Sequence, residues 1–504
     1  MYRHTSRISR GLALLMLATA LPVVAKDSVG ASMRSFEAGL RPAVSVEGEP
    51  QVRWRIEDRM AHWKIPGVSI AVIRDGRIAW SKAYGVKTAG TTDRVDTSTV
   101  FSVGSLSKVG TAAVTLRLVD AGRLDLDRNV NDYLKRWQVP KAAYLALRPV
   151  TLAGLMSHSA GLTLDGFPDF KPGESLPGVL DTLEGKPPSK TEPVRVFYVP
   201  GSASSYSGGG TTVEQLLIED VTGMPFAAAA KQFVFEPLGM SRSTYENPLP
   251  EAHGNIAHAH DDEGRPTALP RGWEAMPEMA ASGLWTTPSD YARMVIAFIQ
   301  SNRAPSGFLA PTTARRMMTE VGHSQAGLGP FLDGHGMTRR FSHSGSNDSY
   351  QAWMEGHLAT GDGVVIFTNG ANGWDLLPEL RRAVAVAEGW FDSGTVTVPR
   401  VALSEVELKE LEGLYEVSAS RDVMATRTEI EIPPVALRVA SQGGRLRVGQ
   451  AGEGGGSEFL PEDPTHFVES GDVRTRVEFV RGYGGRIEGL IYRHGDYAYE
   501  ATRR

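Results

Sequence analysis

Three short stretches of the chain combine residue types able to do nucleophilic chemistry. The first is Ser105-Leu106-Ser107-Lys108, which runs into an apolar pattern of helical period: Val109, Ala112, Ala113, Leu116 and Val119. On a helix, Ser105 lies one turn before Val109 and Lys108 one turn before Ala112, so both polar groups turn towards the buried side. Read as structure alone, Ser105 is an N-cap. A capping box wants Glu or Gln three residues on, whereas Lys108 puts a cation at the positive end of the helix dipole, which costs a few tenths to about 1 kcal/mol. Read as chemistry, the amine of Lys108 takes the proton of the neighbouring hydroxyl and leaves a serine nucleophile.

The second stretch is Pro200 to Gly210 (PGSASSYSGGG), just before a helical pattern with Val213, Leu216 and Leu217. Tyr206 is either packed in a glycine-rich turn or held there as a proton shuttle to the leaving group, a role that needs a cation nearby. The third is His343-Ser344-Gly345-Ser346. Small residues at a sheet edge let a substrate lie against the backbone, and an amide N–H there can complete an oxyanion hole. Two other clusters imitate sites. Gly322-His323-Ser324-Gln325-Ala326 copies a nucleophile elbow but follows a helical segment, Ala314 to Met318, instead of an apolar strand. His258, His260, Asp261 and Asp262 sit in a polar loop without a second ligand group at a diagnostic spacing, so solvated charge is expected there.

The elements that must position these groups alternate in kind. Val68 to Ile73 and Arg77 to Tyr84 read as a hairpin turning at Asp75-Gly76. Tyr350 to His357 and Gly363 to Thr368 form a second strand pair, followed by a helix over Leu376 to Trp390. Strands early and late with helices between them predict one antiparallel sheet closed by both ends of a domain, an α+β class. Helical spacing recurs at Val109 to Leu118, Val213 to Val221 and Tyr291 to Ile299. Phe167 to Ser189 holds five prolines and no period, and reads as a lid or a surface excursion. Around Thr395 to Ser404 the pattern changes to short strands with Gly-Gly turns. The expected division is therefore a signal peptide over 1–25, a loose lead-in over 26–50, a catalytic domain over 51–394, a linker over 395–404 and an all-β domain over 405–504.

The first 25 residues are basic, then apolar (GLALLMLATALPVVA), with a small-residue end at Ala25; this reads as a cleaved secretory signal, with an uncleaved anchor as the alternative. No later run is long enough to span a bilayer, so the mature protein is expected to be exported, periplasmic or secreted, without an integral span. The 504 residues carry a formal charge of −5. Losing Arg3, Arg7 and Arg10 with the leader leaves 50 basic against 58 acidic residues, a balance unsuited to nucleic acid or anionic membranes. Zero cysteines exclude disulfides, thiolate metal sites and a Cys nucleophile.

Taken in order, the Ser-x-x-Lys, Tyr and His-x-Gly stretches make the chain resemble the serine β-lactamase and penicillin-binding-protein superfamily, closest to the group of class C β-lactamases, D-alanyl-D-alanine carboxypeptidases, D-aminopeptidases and family VIII carboxylesterases. IPGVSIAVI (65–73), FSVGSLSK (101–108), LMSHSAGL (155–162), PLGM (237–240) and SGLWTTPSD (282–290) support it, over about residues 50 to 390. The C-terminal part is similar to lipocalin-like modules appended to this group. The resemblance implies a β-lactamase/DD-peptidase-like fold, with an antiparallel sheet flanked by helices beside a mostly helical region.

It further implies that Ser105 is the acylated nucleophile, Lys108 its activating partner and Tyr206 the general acid/base. His343 takes the first position of the Lys-Thr-Gly motif, Gly345 lies on the substrate side, and the amides of Ser105 and Ser346 form the oxyanion hole. Gly208 stands where many relatives carry the Asn that binds a substrate acylamide. The function implied is an exported serine hydrolase of a small-molecule or peptide ester or amide, an esterase or peptidase ahead of a β-lactamase or D-Ala-D-Ala carboxypeptidase. A non-turnover penicillin- or peptide-binding sensor is the reading from another class. No cofactor and no metal are implied, and the oligomeric state stays open. A histidine at 343 is also expected to change charge near pH 6.5, so that carboxylate-bearing substrates lose affinity from about pH 6 to 8.

Overall fold

Gly67–Arg74 (β1) is buried along almost its whole length, as befits an apolar run in a central strand. In the computed structural model it turns through Asp75 (φ 50°) and Gly76 (φ 70°), both left-handed as a two-residue hairpin demands, into Arg77–Gly85 (β2). The structure describes residues 29–504 except 172, 268–272, 274, 323, 421–435, 453–455 and 496; the expected signal segment lies outside the described residues. Phe331–Asp333 (β3), Arg340–Asn347 (β4), Tyr350–His357 (β5) and Gly363–Thr368 (β6) complete a six-stranded sheet in the order β2-β1-β6-β5-β4-β3, antiparallel throughout. The early and late strands meet at β1 and β6, as the sequence predicts. β3 pairs only with residues 340–342 of β4, so the rest of that edge, from His343 onward, faces no neighbouring strand.

Five helices frame the sheet: Val29–Glu37 (α1), Leu106–Asp120 (α2), Gly208–Thr222 (α3), Pro288–Arg303 (α4) and Gly373–Glu388 (α5). α1 and α5 cover one face, where Phe36, Ile70, Val72, Ile366 and Leu380 share a core. On the other face α4 and the helical region form a larger core around α2. The amphipathic stripe expected of α2 is not what forms: every residue from Leu106 to Leu116 is buried. Its small residues admit neighbours on all sides, and a Cβ at Gly110 would stand 2.5 Å from the Tyr245 hydroxyl.

The segment read as a loose lead-in instead holds α1 and a short strand, Val44–Val46, which pairs in parallel with Val396–Val398. The apolar face of that pair, with Ala43, Val44 and Val398, packs on Leu460 and Val468 of the C-terminal part. There eight strands between Gly413 and Arg503 close an antiparallel barrel, each strand beside the next in sequence. Phe459, Phe467, Phe479 and Tyr415 help to fill it, and Leu408 and Leu411 of the helix Glu405–Leu411 pack against this interior. The barrel is thus a side-chain core in the manner of small eight-stranded barrels.

Candidate active site

The start of α2 is a place where two backbones touch. Gly104 has φ +49°, and a Cβ there would stand 2.6 Å from the Ser346 nitrogen; a Cβ at Gly345 would stand 1.9 Å from Val103 O. Only glycine permits this approach, which brings the turn before Ser105 against β4. Ser105 itself has helical angles (φ −64°, ψ −9°), and its side chain caps nothing. The N-cap alternative therefore fails, and the hydroxyl is left to Lys108. Lys108 Nζ donates to Ser105 Oγ at 3.1 Å and to Ala281 O at 3.0 Å. The lysine is buried, and among the described residues no carboxylate lies within ion-pair distance of it. Such an amine nitrogen, held by one hydroxyl and one carbonyl, is placed for proton exchange and not for charge pairing.

Nζ also lies 4.9 Å from the centre of the Tyr206 ring. Tyr206 is strapped in place by His158, a residue with no role in the sequence-based expectations. The His158 carbonyl accepts the Ser205 N–H at 2.9 Å, its Nδ1 accepts the Ser207 N–H at 3.2 Å, and its ring lies 4.3 Å from that of Tyr206. Ser207 Oγ then caps α3 through the Gly210 N–H. His158 has φ +60°, an uncommon conformation for a side-chain-bearing residue. The signal that could have found it lay in the motif LMSHSAGL. Phe331, at the start of β3, was missed for a different reason: its strand is three residues long. Its ring lies 5.3 Å from His343 and 6.4 Å from Tyr206.

His343 lies within β4 on the face shared with Phe341, buried to 2% exposure. Its Nδ1 donates to Ser344 O at 2.6 Å, which fixes the tautomer and leaves Nε2 a buried acceptor without a partner among the described residues. Burial, with the Lys108 charge adding to it, pushes the imidazole down to about 4. The titration expected between pH 6 and 8 is thereby overturned: at those values the ring is neutral, and it is not a cation for a substrate carboxylate. His158 is likewise held well below the usual histidine range, by burial first and then by Lys108 and His343.

Gly208 opens α3, but the space a side chain would take there is already filled. A Cβ would stand 2.8 Å from Phe167 Cε2 and 3.2 Å from Asp165 O. The absent Asn of the resemblance is thus replaced by an aromatic ring from the proline-rich stretch. That stretch is fastened near the site: Phe170 is buried and bridges Ala275, and Asp169 accepts the Asp348 N–H at 3.0 Å beside the β4–β5 turn. Ser346 is exposed at the open edge of β4, next to buried Gly345.

The two imitations have other employment. Ser324 Oγ donates to Ser157 O at 2.7 Å, deep in the fold, while His323 lies outside the described residues. His260 Nδ1 donates to Asn369 O at 2.8 Å and its Nε2 accepts the Ala89 N–H at 3.0 Å, so both ring nitrogens are engaged.

The family model for Beta-lactamase matches residues 52–388. A penicillin-binding protein 4 of Amycolatopsis lactamdurans is 27% identical over 396 residues, 71% of this chain and 97% of its own. Esterase EstB of Burkholderia gladioli is 30% identical over 295 residues, 53% of this chain and 74% of its own. The octameric penicillin-binding protein homologue of Pyrococcus abyssi superposes with a TM-score of 0.56 at 20% identity, covering 88% of this chain and 98% of the other, which shows a shared fold.

Proposed function

The chain belongs to the beta-lactamase family and is a serine hydrolase, and from that premise we propose that it hydrolyses esters or amides through an acyl-Ser105 intermediate. The observation that carries this reading is the 3.1 Å contact between Lys108 Nζ and the uncapped Ser105 Oγ. Ser105 Oγ attacks the substrate carbonyl carbon as its proton passes to the Lys108 amine. The amides of Ser105 and Ser346 receive the oxyanion, which needs donors already in place when charge develops. Tyr206, poised by His158 and facing the Lys108 charge, delivers a proton to the leaving alcohol or amine. Tyr206, having given up its proton, then takes one from water as the water attacks the acyl carbon, and Lys108 returns its proton to the departing Ser105 Oγ.

Two features favour a simple ester or a peptide over a β-lactam or a D-Ala-D-Ala terminus. Phe167 fills the place of an acylamide donor, and His343 is neutral where a fixed cation would hold a carboxylate. Losing a buried hydrogen bond to a polar substrate group costs roughly 1 to 3 kcal/mol, whereas a short acyl ester uses neither contact. The basic and then apolar residues 1–25 support export of the chain. Among the described residues no helix is long and apolar enough to cross a membrane.

The test is a time course by intact-protein mass spectrometry with p-nitrophenyl butyrate and a chromogenic cephalosporin. Expected is an acyl adduct on Ser105 with steady release of p-nitrophenol, and kcat/KM for the ester at least about 10-fold above that for the cephalosporin. One equivalent of product with a persistent adduct would make the protein a sensor. Efficient cephalosporin turnover with little ester hydrolysis would make it a β-lactamase.

A further inference from the structure

A cavity of about 350 Å³ lies between the sheet and the barrel. It opens on the sheet face that carries Trp353 and Glu355, opposite the face packed on α2. Its walls are mostly apolar: Trp353 of β5, Trp374 and Leu377 of α5, and Val473 of the barrel. Trp374 is 42% exposed, so part of its ring is open to the cavity or solvent.

Four arginines line the same cavity, and three have carboxylate partners. Arg340 is paired with Asp333 and Asp392 at 2.5 Å each, Arg381 with Glu355 at 3.0 Å, and Arg474 with Asp472 at 3.3 Å. Arg382 differs. It is 7% exposed, its Nε donates to Arg41 O at 3.3 Å and its Nη1 to Gly471 O at 3.1 Å, and among the described residues no carboxylate lies within 4.0 Å. Burial pulls its guanidinium down to about 10, with Arg381 and Arg59 adding to the effect and the more distant charges of Glu379 and Asp472 opposing it. Glu379, one turn away on the same helix, is engaged by Arg59 at 2.6 Å. A buried charge without its partner is costly, and an incoming carboxylate would supply both the charge and a bidentate acceptor.

We propose that this cavity is a second ligand site, for a small carboxylic acid with an apolar or aromatic body, whose carboxylate pairs with Arg382 while the body lies against Trp353 and Trp374. The site belongs to neither domain alone, because α5 gives the arginine and the barrel gives the wall at Gly471 and Val473. Phe331 lines it as well and also meets His343, so the two sites share one side chain.

The experiment is calorimetric titration of the full chain at pH 7 with 4-phenylbutyrate, and with 4-phenylbutanol as the uncharged control. Two variants accompany it. Arg382→Met removes the charge. Gly471→Leu adds bulk at a residue of the barrel wall that lines the cavity, where a Cβ would meet only Glu469 Oε1 at 3.9 Å, so the barrel can accept the change. Expected is one equivalent of acid bound, at least about 10-fold more tightly than the alcohol. Binding should fall by at least about 10-fold in Arg382→Met and vanish in Gly471→Leu, with p-nitrophenyl ester turnover retained as proof of fold. Binding of the acid that survives in Gly471→Leu would assign it to the Ser105 cleft and overturn the proposal. Equal affinity for acid and alcohol, or no binding up to about 10 mM, would overturn it too.

Discussion

Inside the barrel, Leu446, Phe459, Phe467 and Phe479 fill the interior, the Tyr415 hydroxyl donates to Leu411 O at 2.7 Å, and no buried polar side-chain atom is orphaned among the described residues. Around α2 the interior is as tightly buried but is assembled otherwise. A lysine is enclosed with a hydroxyl and a carbonyl as its hydrogen-bond acceptors, and His158 and His343 each keep a ring nitrogen with no partner. The barrel follows the ordinary rule that buried polar groups are satisfied, while the larger domain departs from it at several positions, His158 and His343 beside the nucleophile among them. Changes beside the nucleophile and changes in the barrel interior should therefore act on different properties, the first on turnover and the second on stability.

The sharpest separation is expected at the Ser-Lys pair. Ser105→Ala and Lys108→Met should each lower kcat for p-nitrophenyl butyrate by at least about 10³-fold, because the two act as a unit. Neither should lower the urea midpoint, since Lys108→Met replaces a buried cation by an apolar chain of similar length. If Ser324→Ala abolished turnover and Ser105→Ala did not, the assignment of the site would fall. The converse experiment is Phe467→Ala in the barrel. A cavity in place of that ring should cost about 3 to 5 kcal/mol in chemical denaturation while kcat per folded molecule stays unchanged. Loss of kcat in proportion would show that the barrel takes part in the reaction.

A smaller effect distinguishes the cores by pH. Folded His343 stays neutral down to about 4, whereas an unfolded histidine takes its proton near 6.5. The unfolded state binds more protons between those values, so His343 removes stability as pH falls from 6.5 to 4. Glu214 and Glu278, pushed up to about 7 by burial, act in the opposite sense: they stay protonated in the fold while unfolded carboxyls ionise, so stability falls as pH rises from 4.5 to 7. Comparison with His343→Gln isolates the histidine. The difference in unfolding free energy between pH 6.5 and pH 4 should change by roughly 3 kcal/mol between parent and variant. An unchanged difference would mean that His343 titrates normally.

The smallest expected effect is at Gly208. Gly208→Asn alone must displace Phe167, so a loss of about 1 to 3 kcal/mol in stability and no gain in cephalosporin turnover are expected. Combined with Phe167→Ala, the new amide has room, and the ratio of cephalosporin to ester kcat/KM should rise by roughly 5-fold or more. A rise with Gly208→Asn alone would show that the Phe167 ring yields at no cost.

These outcomes also mark how far the sequence could be read. The Ser105–Lys108 contact was legible because the two residues stand three positions apart at the start of one helix, and the β1–β2 hairpin was legible because Asp75 and Gly76 carry its turn. The neutrality of His343 was not, since it follows from burial by Phe331 and Tyr206, which arrive from other elements. Phe167 stands 41 positions before Gly208, in a stretch without period, so nothing local could report that its ring fills the glycine's place. α2 misled for a related reason: its residues carry a stripe, but small side chains let neighbours close over every face. The interdomain cavity depends on where two cores dock, which no local pattern encodes.

The ladder between β1 and β6 carries a consequence for the birth of the molecule. Val68 pairs with Thr368, 300 positions later in the chain. At a synthesis rate of roughly 5 to 20 residues per second, β1 waits about 15 to 60 s for its partner to be made. For that interval β1 has its hairpin partner β2 but its other edge, at Val68, Ile70 and Val72, is open, the kind of edge that invites aggregation. Until β6 is made, that edge has to be kept from pairing with another chain.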